Sequence, residues 1–175
     1  TGKTTLLNAL TALIPSSDRI VIIEDTAELQ VGQPDVVRFE ARRAQRDMAA
    51  VTIRDLLKAT LRHRPDRVIV GEVRGGEAYD LLQALNTGHA GTLSTIHANS
   101  AVQALTRLAS CVLQAGVELP YPAIRQQIGD AIDFVLHLDR RQGLRRASEL
   151  LRVRRYAAAE DCYETDDLLL KSTEL

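Results

Sequence analysis

Two short runs of aliphatic residues constrain this chain more than anything else in it. "IVIIED" and "VIVGE" place unbroken apolar stretches, Ile20 to Ile23 and Val68 to Val70, directly before acidic residues. Alternating polarity would mark a strand with one wet face. An unbroken run marks a strand covered on both faces, as in parallel sheets. A third run, "GTLSTIHA", reads the same way, and "VVRFEA" gives a shorter candidate at Val36 to Phe39. Segments of helical period lie around these runs. Leu6, Leu7, Leu10, Leu13 and Ile14 share a face that Pro15 terminates, and Ile53, Leu56, Leu57, Thr60 and Leu61 share another. Further helices are expected at about 76–87, with Gly88 as its C-cap, and at about 100–115 and 122–131. Strands alternating with helices predict an α/β fold with a largely parallel core sheet. The strand at Val68 is expected to close at Gly71. "DFVLHLDR", "RQG" and "LRRASELLRVRRY" then read as strand, turn and returning strand, with "DDLLL" as a further short edge element.

A parallel sheet offers its carboxyl edge to ligands. There the two apolar runs deliver Glu24 and Asp25, with Glu28 one turn on, and Glu72. Either set alone is equally a strand stopped by a solvated acid. They gain meaning from "TGKTTLLNAL", where Gly2, Lys3 and Thr4 match the end of the phosphate-binding pattern G-x-x-x-x-G-K-[ST] and Thr5 follows. In such a loop, backbone N–H groups and the helix dipole receive phosphate. The lysine reaches the β- and γ-phosphates, and the hydroxyl ligates Mg²⁺. Those four residues are also an ordinary helix start, so the downstream acids carry the greater weight. In "GHAGTLSTIHANS", His89 and His97 flank a strand among small residues, an arrangement suited to hydrogen-bond relays near phosphate. No cysteine joins them, which argues against zinc.

Taken in order, "GKTT", "IIEDTAELQ", "RPDRVIVGEVRGGEA" and "GHAGTLSTIHANS" resemble the Walker A, Asp box, Walker B and His box of the type II/IV secretion traffic ATPases. The resemblance spans about residues 2–140. It is strongest to the type IV secretion and conjugal-transfer (Trb-type) branch, with the Tad/Flp pilus ATPases next. Thr26 stands where retraction and type II members often carry proline after the Asp-box acids. The resemblance implies a RecA-like P-loop core over 1–140 and a hairpin and tail over 141–175, with the N-terminal part of the whole protein missing. It implies a hexameric motor using ATP and Mg²⁺, peripheral at the cytoplasmic side of the inner membrane and docked to secretion or pilus platform proteins. Gly2, Lys3, Thr4, Thr5 and His89 would bind nucleotide. Thr4 and Asp25 would hold Mg²⁺, with Glu72 acting through water. Glu72, His97 and one of Glu24 or Glu28 would be catalytic, the choice between those two staying open. Arg62, Arg64 and Arg74 are expected near the same sheet edge. Without the upstream glycines, this chain alone is expected to hold nucleotide poorly. A pilus-assembly ATPase, a helicase-like translocase and a non-hydrolysing scaffold are the alternatives.

Composition adds bounds. Of 175 residues, 45% are hydrophobic but only 3% aromatic, so the core must be built from Leu, Val, Ile and Ala. A net charge of −1 gives no global case for nucleic acid. Cys111 and Cys162 form no motif, and a reducing, cytoplasmic compartment is expected. No apolar run reaches the ~18–20 residues of a membrane span. Seven arginines between Arg140 and Arg155, followed by an acidic patch, suggest either a DNA ribbon or a solvated docking face. No aromatic residue is interleaved among them, so the docking face is the stronger expectation.

Overall fold

The computed structural model describes residues 2–88 and 91–169. A four-stranded, all-parallel sheet has the order β2-β1-β3-β4, built from β1 (Ile20–Glu24), β2 (Val36–Glu40), β3 (Arg67–Val73) and β4 (Leu93–Ile96). Every residue of β1 is buried, as its unbroken apolar run requires. Because successive side chains point to opposite faces, the sheet feeds two cores. Val21, Ile23, Val68 and Val70 face one side. There they pack with α2 (Ile53–Thr60), α3 (Glu77–Asn86), α4 (Ala101–Leu113) and α5 (Tyr121–Ala131). Ile20, Ile22 and Ile69 face the other side, with Leu29 and with Leu7 of α1 (Lys3–Thr11). The expected α/β architecture is therefore present.

The helix starts are chemically specified. Thr52 and Asp55 form a capping box on α2. At α3, Glu77 Oε1 accepts from the backbone N–H of Arg74 (2.6 Å) and Gly75 (2.9 Å). Ser100 caps α4, whose Ala101 N–H also donates to Glu149 Oε2 at 2.8 Å. α1 differs from these three. It follows Gly2 in a left-handed conformation (φ 96°), with no side-chain cap and no acid in its first turn.

β3 departs from expectation. It does not close at Gly71 but runs on to Val73, where it rejoins β4 through a register shift, Val70↔Ser94 and then Val73↔Ile96. Glu72 thus projects from within the strand, at the register shift between the paired residues Val70 and Val73.

A second, antiparallel sheet has the order β5-β6-β7, from β5 (Phe134–Arg141), β6 (Leu144–Ala157) and β7 (Cys162–Asp167). Gln142 and Gly143, both with positive φ, make the two-residue turn that right-handed strand twist favours. The expected division at residues 140 and 141 falls inside β5, because the whole strand from Phe134 pairs with β6. This sheet is docked through α5. Gly129 lets β6 approach so closely that a Cβ there would stand 2.7 Å from the Tyr156 nitrogen. Beside it, the Arg125 guanidinium lies 4.7 Å from the Tyr156 ring, 4.9 Å from Tyr163 and 5.9 Å from Tyr121, and pairs with Asp161 at 2.7 Å.

Candidate functional site

At the carboxyl edge of the parallel sheet, an open cleft of about 1160 Å³ collects residues from the start of α1, the ends of β1, β3 and β4, and the β5–β6 hairpin. Gly2, Lys3, Thr4 and Thr5 line it from the α1 side, and Glu24, Asp25, Glu28, Glu72 and His97 from the strands and their exits. These residues lie up to 95 positions apart in sequence, and parallel pairing brings them to one edge. His89, expected here, lies outside the described residues.

Glu72 is the centre of a charge network. Its Oε2 accepts from Arg74 Nε (2.8 Å) and Nη2 (2.5 Å), and Arg74 Nη1 reaches Asp25 Oδ2 at 3.3 Å. The other oxygen, Oε1, is buried and receives no aligned hydrogen bond from the described residues. Among the described residues it lies 2.8 Å from His97 Nε2 and 3.8 Å from the Lys3 ammonium. Lys3 Nζ also sits 3.1 Å from both ring nitrogens of His97. Burial lowers the Lys3 pKa from the ordinary amine value, opposed by the Glu72 carboxylate and reinforced by the Arg74 charge. The Arg74 pKa is raised by its hydrogen bonds and charge pairing with Glu72.

The two Asp-box glutamates occupy different environments. Glu24 is buried within β1, and its Oε1 accepts from the backbone N–H of Glu28 and Leu29, each at 3.0 Å. It packs so tightly on Gly71 that a Cβ at that glycine would meet Glu24 Cγ at 3.2 Å. Its carboxylate is spent on folding the chain after β1. Glu28, carried by that turn, accepts from Thr4 Oγ1 at 3.2 Å and faces the start of α1. Asp25 is half exposed.

The arginines need correction. Arg74 is at the site, but Arg62 and Arg64 are not. They precede β3, where Asp66 and Arg67 donate N–H bonds to the Arg19 carbonyl ahead of β1, so they belong to the amino edge of the sheet. A seven-residue strand separates that edge from the cleft by roughly 20 Å. The hairpin instead supplies a cleft residue that had not been singled out, Arg145. In the same sheet, Arg141 and Arg146 pair with Asp139, Arg154 with Asp166, and Arg155 with Glu164. Much of the arginine cluster is thus neutralised by its own sheet.

Among the described residues, no group of three His, Cys, Asp or Glu side chains could cage a metal. The donors present are a hydroxyl and carboxylates, the hard oxygen set that suits Mg²⁺ when phosphate and water complete its shell. No helix among the described residues is long and apolar enough to cross a membrane.

Known proteins resemble this chain in sequence and in fold. The TrbB conjugal transfer protein of Rhizobium radiobacter is 43% identical over 158 residues, which cover 89% of this chain and 46% of that protein. The type IV secretion system protein PtlH of Bordetella pertussis is 43% identical over 146 residues, covering 81% and 43%. The crystal structure of the VirB11 ATPase from the Brucella suis type IV secretion system, in complex with sulphate, superimposes with a TM-score of 0.79 at 37% identity. That match covers 86% of this chain and 46% of that one, so the chain spans less than half the length of these relatives. The model of the type II/IV secretion system protein family matches residues 1–167, and the chain belongs to that family.

Proposed function

We propose that this chain is the phosphate-gripping part of an ATPase that hydrolyses ATP to drive type IV secretion or conjugal transfer of macromolecules across the bacterial envelope. The motor would act as a hexameric ring, peripheral to the inner membrane and docked on its secretion platform. The observation that carries this reading is the convergence of Lys3, Thr4, Glu28, Glu72 and His97 on one sheet edge beside an uncapped helix start.

The N–H groups at the start of α1 point free of any side-chain cap and receive phosphate oxygens. Lys3 stabilises charge on the transferring phosphoryl group from the cleft wall beside the α1 start. Mg²⁺, when bound, neutralises phosphate charge. The Thr4 hydroxyl and the half-exposed Asp25 would hold it, with Glu72 supporting its water shell. Arg74 fixes Glu72 Oε2 and leaves Oε1 facing Lys3 and His97. His97 can pass or sense a proton there. Glu28 is the better candidate for activating water, since the Glu24 carboxylate already accepts two backbone N–H groups. Such positioning supplies most of the catalysis in phosphoryl transfer.

Phosphate release by the intact protein tests this reading. Lys3→Ala and Glu72→Gln should each slow turnover by about 100-fold or more. Wild-type turnover in both variants would overturn the site. ATP binding by the unmodified protein with no phosphate release would favour a scaffold instead.

A further inference from the structure

Arg145 is set apart from the other hairpin arginines by what it touches. It stands directly opposite Arg140 in the β5–β6 register. Like charges facing each other across a ladder repel unless something answers them. Arg140 turns back to the Gly143 carbonyl, with its Nε donating at 3.3 Å. The neighbours Arg141 and Arg146 share Asp139. Arg145 has no carboxylate partner among the described residues. Its side chain runs along Gly2 instead: Cδ lies 3.2 Å, and Nη1 3.9 Å, from where a Cβ on Gly2 would sit. The left-handed φ of 96° favours glycine at that position, and a Cβ there would also press on the Arg145 side chain.

Three sources of positive potential therefore meet at one wall of the cleft, and only one of them, 3.8 Å from Glu72, has a carboxylate partner among the described residues. They are the uncapped N-terminus of α1, the Lys3 ammonium and the Arg145 guanidinium. We propose that Arg145 binds a phosphate group of the nucleotide held at the start of α1, acting from the antiparallel sheet of the same chain. This rests on the ATPase reading above and adds a ligand that the loop pattern does not contain. A guanidinium offers planar, paired donors that match phosphate oxygens. It would also give the antiparallel sheet a direct stake in occupancy of the cleft.

Equilibrium binding of ATP, ADP and adenosine to the intact protein tests the proposal, with Arg145→Ala, Arg145→Lys, Arg146→Ala and Lys3→Ala compared. Removing one charge-assisted phosphate contact should weaken ATP and ADP binding about tenfold in Arg145→Ala. Arg145→Lys should recover part of that loss, and Arg146→Ala, whose side chain is held by Asp139, should bind as wild type. Adenosine should not distinguish the variants. ATP affinity in Arg145→Ala within about twofold of wild type, with Lys3→Ala still impaired, would overturn the Arg145 assignment and leave the ATPase reading standing. Unchanged binding in both Arg145→Ala and Lys3→Ala would overturn the two together. An equal loss for ATP and adenosine would show a distorted cleft rather than a lost phosphate contact, and would also overturn the proposal.

Discussion

The two sheets of this molecule handle charge in opposite ways. The two central strands of the parallel sheet are apolar over Ile20 to Ile23 and Val68 to Val70, and the acids that follow these runs converge around a cleft at the carboxyl edge. The antiparallel sheet carries charge along its whole surface and balances it locally, strand against strand, through Asp139, Glu164 and Asp166. Charge density therefore says little about function in this fold. What matters is whether the charges have already been answered. Arg154 and Arg155 are answered within their own sheet; Lys3 and Glu72 Oε1 face each other across 3.8 Å at the cleft, and Arg145 has no carboxylate partner among the described residues.

The contrast can be attacked from the core outward. Ile23→Ala, in the fully buried β1, should lower stability by about 2–5 kcal/mol in urea unfolding. Arg154→Ala, which breaks an exposed pair with Asp166, should leave the urea midpoint within error. A large effect at Arg154 would mean that the antiparallel sheet depends on its ion pairs for folding, and the contrast would fail. The Asp-box glutamates divide the same way over a shorter distance. Glu24→Ala orphans two backbone donors at roughly 1–3 kcal/mol each, so it should destabilise the protein. Glu28→Gln should unfold normally yet lose about 100-fold or more in turnover. If the two phenotypes are exchanged, the assignment of Glu28 fails.

A smaller effect sits where the sheets join. Burial pushes the Tyr163 phenol up from 10 to about 12, against the lowering influence of Arg125. The unfolded chain therefore ionises first. Stability present below pH 10 is lost as pH rises from 10 towards 12, and Tyr163→Phe should flatten that decline. Urea midpoints taken across this range measure it. An unchanged slope in Tyr163→Phe would place the alkaline loss elsewhere.

The parallel core was legible because unbroken β-branched runs have few other uses, and the four cleft-forming segments followed from it. What escaped the sequence depended on direction and register. Arg62 and Arg64 stand close to the Val68 run, but on the side where β3 enters the sheet, and their nearness in sequence hid their distance from the edge that matters. Glu24 looked like a strand stop, because an acid after an apolar run is normally solvated. Its burial depends on the N–H groups of Glu28 and Leu29 turning back towards it. Glu72 was identified, but its seat inside a continuing strand was not, since Gly71 looked like a terminator. Arg145 could not be told from its neighbours by composition. Which hairpin arginine reaches Gly2 is decided by antiparallel register and by how the sheet is docked on α5.

The contact between Glu24 and Gly71 has a consequence beyond the cleft. The two positions share one small volume, with a glycine on β3 making room for a long acid on β1. Neither can change size alone without displacing the carboxylate that shapes the turn carrying Glu28. A larger side chain at 71 would press on Glu24 Cγ and shift its carboxylate, so the turn that carries Glu28 is adjusted by a residue on a different strand.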